Sequence, residues 1–254
     1  MTGKRRKKVL IRIILDFISA GCLLVAVFSG YKLYQNSKEY REGENTYDTI
    51  RESVYEGTFR TDYFDDAEIR EKVFSNLKKQ NSDFVGWIHL ADSSVDYPFV
   101  QTDNNDFYLY HLFNGEYNRS GCVFMDMENS EDFTDRNTIL YAHHMRNGTM
   151  FHDIVNYEKQ EYYNTHKIIR IDTLYESYDL YPVAGIFTTG DEDYLRIHFD
   201  DDEDFLAYLS SFLDHSTFQS EETINGDDRT VLLSTCAYNV NDGRYALIGK
   251  LVKK

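Results

Sequence analysis

Hydrophobic and polar positions change texture along this chain in a way that predicts its elements before any composition is counted. Residues 9–34, VLIRIILDFISAGCLLVAVFSGYKLY, are apolar almost throughout, and a helix of that length crosses a hydrocarbon core of about 30 Å. From Gln35 to about Asp83 charged residues dominate. Within that stretch, DDAEIREKVFSNLKKQN places Ile69, Val73, Phe74 and Leu77 on one helical face, which predicts a stalk ending in a helix that docks on the domain. A solvated linker helix is the alternative for residues 35–60. After Asn81 come the short runs FVGWIHL, VDYPFVQ, GCVFMD, NTILYAHH, KIIRIDTL, ESYDLYPVAGIFTTG, RTVLLSTCAY and RYALIGKLV. Short strands separated by turn residues predict an antiparallel β-sandwich or barrel.

Helices interrupt the strands. Asn105 or Asp106 can open one through FYLYHLF, and MFHDIVNY suggests another. The clearest is DDEDFLAYLSSFLDHS, whose leading aspartates suit a helix N-terminus and whose Phe205, Leu206, Leu209, Phe212 and Leu213 make one apolar face. As a calcium loop the same acidic run lacks the alternation and central glycine, and a capped helix explains it fully. There is no internal repeat and no low-complexity segment.

The chain has 254 residues, 42% hydrophobic and 15% aromatic, with only 2 prolines, which is globular composition sufficient for one sizeable domain plus appendages. Its formal charge of -16 is uneven. Lys4, Arg5, Arg6, Lys7, Lys8 and Arg12 stand against Asp16 alone in the first 16 residues, leaving 21 cations and 42 anions for the rest. So acidic a body is repelled by a phosphate backbone, and no basic stripe interleaved with aromatics offsets it; nucleic acid is not an expected partner. The basic cluster before the apolar run places the N-terminus in the cytoplasm and everything after Tyr34 outside, as a single-pass anchor. Arg12 can snorkel toward the headgroups; Asp16 has no explanation in the sequence. A cleaved signal peptide, a lipid-attachment box at Ser19–Cys22 and a buried core helix are the alternatives, each fitting the flanks less well. The expected organisation is a basic tail (1–8), an anchor (9–34), a juxtamembrane stalk (35–65) and a catalytic domain (66–254).

The chemistry candidates stand at strand ends. Cys22 lies in the anchor and Cys122 in the short strand GCVFMD, where a packed small residue is the simplest role. One bridge between Cys122 and Cys236 is an unforced alternative. Cys236 closes TVLLSTCAY, where strand hands over to loop. A thiol attacks as its thiolate and needs a neighbour to take or balance the proton. Of the eight histidines, His89, His166, His198 and His215 fit surface or half-buried roles. His143 and His144 instead close NTILYA and open MRNGTM, the same strand-end placement that Cys236 has. Adjacent residues on a strand point to opposite faces, so one of the two faces the site, and the spacing is a poor one for zinc. Arg244, in NDGRYALIGKL, cannot be a base, but its fork of donors can stabilise the oxyanion formed when a thiolate attacks an acyl group. Cys, His and Arg at three strand ends point to acyl transfer through a thioester.

Three segments in order carry a resemblance. DFVGWIHLADSSVDYPFVQTDNNDFYLYHLFNGEYNRSGCVFMD, NTILYAHHMRNGTMF and LLSTCAYNVNDGRYALIGKL, within residues 66–252 and behind an N-terminal anchor, are similar to the opening strands, the histidine segment and the Leu-x-Thr-Cys and arginine strands of class B sortases, membrane-anchored cysteine transpeptidases of Gram-positive bacteria. The resemblance implies a mainly β fold: an eight-stranded barrel with an N-terminal helical extension and a long helix between the sixth and seventh strands. It makes Cys236 the nucleophile, His143 the acid/base and Arg244 the oxyanion-holding residue. Ser234, Tyr194, Leu195 and Leu109 match substrate-contacting positions, and Ala142 stands where glycine is common. The implied reaction cleaves a C-terminal sorting signal after threonine and transfers the surface protein to a peptidoglycan amine, with hydrolysis as the same chemistry on water. The implied partners are sorting-signal-bearing proteins, a peptidoglycan precursor or stem-peptide amine, and the membrane; no cofactor and no metal are required. A secreted thiol peptidase or amidase, an L,D-transpeptidase and a non-catalytic wall-binding domain are rival readings; the thiol enzymes among them usually carry a Cys-before-His order or a Ser/His-Gly-Cys motif that this chain does not show.

Overall fold

The computed structural model describes residues 3–55, 63–190, 193–237 and 243–254, with side chains from Lys8 onward. Most of the basic tail's side chains and residues 56–62 of the expected stalk lie outside the described residues. Two compact units divide the chain, Met1–Glu42 and Gly43–Lys254. In the first, helix α1 (Gly3–Tyr55) carries the apolar run, with the side chains of Val9 to Tyr34 exposed, and it is long and apolar enough to cross a membrane.

In the second unit the final turns of α1 are amphipathic. Tyr47, Ile50, Val54 and Tyr55 recur at helical spacing and are buried. The Tyr47 hydroxyl donates to the Gly121 carbonyl at 2.6 Å, and Tyr55 and Arg51 donate to the side chain and backbone of Asp96 at 2.8 and 3.0 Å. Gly121 has φ of 62°, and a Cβ there would meet the Tyr108 carbonyl oxygen at 2.6 Å, so only glycine presents that acceptor. The compact unit starts at Gly43, because a few apolar positions inside a charged stretch suffice to dock a helix. Helix α2 (Ala67–Gln80) is capped by Asp66, which accepts from the amides of Glu68 and Ile69, and buries Phe74 and Leu77.

The strands are β1 (Phe84–His89), β2 (Asp96–Val100), β3 (Val123–Met125), β4 (Asn137–Tyr141), β5 (Ile169–Thr173), β6 (Ser177–Thr189), β7 (Arg229–Cys236) and β8 (Gly243–Lys253). They close a barrel in the order β1-β2-β3-β4-β7-β8-β6-β5. The expected purely antiparallel arrangement fails at two junctions: β2 with β3 and β4 with β7 run parallel. Parallel neighbours need crossover connections, and alternation along one strand says nothing about which strand lies beside it. Two of the expected helices form as 3-10 segments. FYLYHLF forms a single 3-10 turn, Phe107–Leu109, where the Asn104 side chain accepts from the amides of Asp106 and Phe107; MFHDIVNY contributes another, Asp153–Glu158, followed by the short helix α3 (Gln160–Thr165).

Helix α4 (Asp202–Leu213) lies between β6 and β7, with Asp201 accepting from the Asp204 amide as its N-cap. Its buried stripe is Phe205, Tyr208, Leu209 and Phe212, while Leu206 and Leu213 are exposed. Tyr208 thus takes the place that the apolar count gave to Leu206 and Leu213, since its hydroxyl is satisfied by the Tyr194 carbonyl at 2.8 Å. The stripe packs on Ile139 of β4, Leu232 of β7, Ala246 and Ile248 of β8 and Ala184 and Ile186 of β6. One face of four adjacent strands is thereby covered, and the same face continues past the helix to the strand ends.

Candidate active site

Pairing register decides which side chains share that face. Tyr141 pairs with Ser234 in the parallel β4–β7 ladder, and Cys236 pairs with Arg244 across β7–β8. Side chains two apart on a strand point the same way, so Ile139 and Tyr141 form one column, with His143 just past the end of β4, and Leu232, Ser234 and Cys236 form the next. Arg244, Ala246 and Ile248 form the third, and Thr188, registered with Arg244, extends it to β6. Cys236 ends the middle strand, with the histidine strand on one side and the arginine strand on the other.

His143 is half-buried, and its Nε2 lies 2.7 Å from the Leu109 carbonyl oxygen. A carbonyl only accepts, so Nε2 carries the proton and Nδ1 is the nitrogen left for proton transfer. Leu109, expected at the substrate, therefore also serves His143 through its backbone. The ring of Tyr110 stands 6.3 Å from the imidazole. His144 turns the other way: its Nδ1 donates to the Cys236 carbonyl at 3.0 Å, and burial holds its pKa below the usual range. Arg244 is half-buried, and its Nη1 donates to the Gly243 carbonyl at 3.2 Å. All three cysteines are free. Cys122 is sealed inside, and burial pushes its thiol up to about 12; Cys236 is partly accessible.

Beyond the cysteine the face is walled by the segment before α4. The Tyr194 hydroxyl lies 2.9 Å from Ser234 Oγ, both residues being buried. The segment is braced from behind: Asn137 donates to the Arg196 carbonyl at 2.7 Å, and Arg196 pairs with Asp204 at 2.6 Å while stacking on Phe199 and Tyr208. Leu195 is 39% exposed at the rim. The acidic run that opens α4 is occupied by the fold, since Asp201 caps the helix, Asp202 pairs with Arg136 at 2.8 Å and Asp204 pairs with Arg196. Among the described residues no group of three or more His, Cys, Asp or Glu side chains is arranged to hold a metal ion.

Comparisons with known proteins show the family to which this fold belongs. Residues 88–252 match the family model described as Sortase domain. Sortase B of Listeria monocytogenes is 33% identical over 232 residues, 91% of this chain and 93% of that protein, and Sortase B of Staphylococcus aureus is 33% identical over 233 residues with the same coverage. The chain belongs to the sortase family, in its class B branch. Among solved structures, the Staphylococcus aureus sortase B–substrate complex aligns with a TM-score of 0.75 at 32% identity, covering 85% of this chain and 99% of that one. A mutant form of Clostridium perfringens sortase B aligns equally well, TM-score 0.75 at 28% identity, over 82% of this chain and 98% of that one.

This sortase is thus a cysteine transpeptidase of the cell-wall anchoring type, built on the eight-stranded closed barrel of its relatives. Two contacts at its site escape sequence reading. Leu109 holds the histidine by a backbone atom, which no side-chain pattern encodes, and His144 is invisible as a partner of Cys236 until β4 and β7 are known to be neighbours. The one available signal was the adjacency of two histidines at a strand end.

Proposed function

We propose that in this sortase Cys236 is the nucleophile, His143 the acid and base, and Arg244 the oxyanion-stabilising residue. The observation that carries the assignment is the register that puts Cys236 opposite Arg244 and two residues past Ser234, whose β4 partner Tyr141 lies two residues before His143. The Cys236 thiolate attacks the carbonyl carbon of the threonine in a C-terminal sorting signal, and the negative charge gathered on the oxygen meets the Arg244 guanidinium. As the tetrahedral species collapses, the C–N bond breaks and protonated His143 gives its proton from Nδ1 to the leaving amine, producing a thioester. A peptidoglycan amine then attacks the thioester, neutral His143 accepts its proton, and Cys236 leaves as the thiolate. Water in place of the amine yields hydrolysis, the endopeptidase side of the same cycle.

Ser234 and Tyr194, joined by their hydroxyls, floor and wall the groove in which the signal lies, with Leu195 and Leu109 at its edges. Helix α1 anchors the enzyme with its basic end in the cytoplasm and the barrel outside, in reach of exported proteins and the wall. The test is a sorting-signal peptide library incubated with the full-length chain in detergent and read by mass spectrometry. The expected result is an acyl adduct on Cys236 that a primary amine discharges; an adduct on another residue, or turnover without one, overturns the assignment.

A further inference from the structure

Among the described residues, the sheet leaves the carbonyl of Cys236 without a backbone partner on its own level. Ala237 donates its amide to Gly243 across β7–β8 at 2.8 Å. Carbonyls of successive strand residues alternate between the two neighbours, so Cys236 turns its C=O toward β4. On that side Ala142 donates to Ser234 at 3.3 Å, and the next rung of a parallel ladder would run from the backbone amide of residue 144 to the carbonyl of Cys236. β4 has left the sheet by then. His143 accepts from the Phe151 amide at 3.0 Å, and His144 bridges to Met150, so both belong to the hairpin that follows. The rung is made instead by the His144 ring, whose Nδ1–H reaches the Cys236 carbonyl at 3.0 Å.

That ring is itself held. It is half-buried and meets the His152 ring edge-on, centroids 4.7 Å apart at 69°, while His152 Nδ1 donates to the Met145 carbonyl at 3.0 Å. Thr235 makes the neighbouring link, its hydroxyl donating to the Ala142 carbonyl at 2.8 Å.

We propose that His144 is a positioning residue: its Nδ1–H pins the Cys236 backbone to the end of β4 and so keeps the thiol level with His143, a role that rests on Cys236 and His143 being nucleophile and base. The two adjacent histidines divide the work, one facing the reacting atoms and the other holding the strand that carries the nucleophile. The effect falls on turnover rather than on binding, because the groove residues Ser234 and Tyr194 are held by other contacts.

Two side chains separate a hydrogen-bonding role from a space-filling one. Asparagine places its amide N–H near the position of His Nδ1; glutamine places it near Nε2. With the library peptide that the wild-type full-length chain cleaves fastest, His144→Ala is expected to lower kcat about 10-fold or more, the scale on which a displaced reacting group costs rate, with KM within about twofold. His144→Asn is expected to restore kcat and His144→Gln is not. Equal rates for the Asn and Gln variants, or an unchanged kcat in His144→Ala, overturn the proposal. A second measurement needs no variant: the ring nitrogen-15 shifts of His144 in the wild-type chain report the tautomer. Protonation at Nδ1 is required, and a neutral ring protonated at Nε2 overturns the proposal. Failure of the Cys236 assignment is recognised separately, by an acyl adduct on a different residue.

Discussion

Cys122 and Cys236 flank the same strand and have opposite fates. Cys122 immediately precedes β3, and Cys236 ends β7; β4 lies between those strands. Cys122 is 1% exposed, lies 3.8 Å from the Pro98 carbonyl oxygen and packs near Tyr47, so desolvation pushes its thiol up to about 12. Cys236 is partly accessible and in register with an arginine, on the strand that neighbours β4. The residue type is the same and the neighbourhoods differ: one thiol is kept neutral by burial, while the other ends a strand opposite an arginine.

The largest test of that contrast is removal of each thiol. Cys236→Ala is expected to reduce peptide cleavage by about 10⁴-fold or more, the scale on which loss of a catalytic nucleophile is felt. Cys122→Ala is expected to retain cleavage within about threefold and to lose only about 1 kcal/mol in a denaturant midpoint measurement, as befits a packed small side chain. Comparable activity losses in both would erase the distinction.

Alkylation sharpens it next. With its thiol at about 12, Cys122 is thiolate in only about one molecule in 10⁴ at pH 8. Raising the pH increases that fraction tenfold per unit up to the thiol's own pKa. In a Cys22→Ser background, iodoacetamide followed by peptide mass mapping is expected to label Cys236 and leave Cys122 unmodified in the folded chain. Labelling of Cys122 at a matching rate would mean that it is not sealed.

Arg244→Ala is expected to lower kcat by about 10²–10³-fold, the range for removing one oxyanion donor. Arg244→Lys restores the charge but not the planar fork, so its recovery measures how much of the effect is geometry. The smallest effect belongs to the groove. Tyr194→Phe removes one neutral hydroxyl bond to Ser234, worth about 0.5–1.5 kcal/mol, and is expected to raise KM by roughly two- to tenfold with kcat little changed. A Tyr194→Phe enzyme with wild-type KM would remove that hydroxyl from the substrate's path.

Much of the barrel was legible in the chain because strand alternation and turn residues are local properties. All eight runs named from the pattern become strands, and DDEDFLAYLSSFLDHS becomes α4. What the pattern could not supply was partnership. The parallel pairing of β4 with β7 brings Cys236 beside the histidine strand, yet nothing in NTILYA or TVLLSTC names the other. At the helices, FYLYHLF forms only one 3-10 turn, although Asn104 accepts from the amides of Asp106 and Phe107 at its start. In α4 the count of leucines misplaced the buried stripe, because a tyrosine with a satisfied hydroxyl is as buriable as a leucine. The candidate chemistry was legible as residue types at strand ends; their division of labour was not, since Leu109 acts through a carbonyl and His144 through a missing rung.

The parallel junction also orders events in time. β4 ends at Tyr141 and its partner β7 begins at Arg229, so a long stretch of chain, including β5, β6 and α4, must be laid down before the two can meet. Contacts so distant in sequence form slowly and late. Until β7 and β8 take their places, Cys236 has neither the end of β4 nor Arg244 beside it. The face that carries Cys236 and Arg244 is therefore complete only when the last two strands seal the barrel.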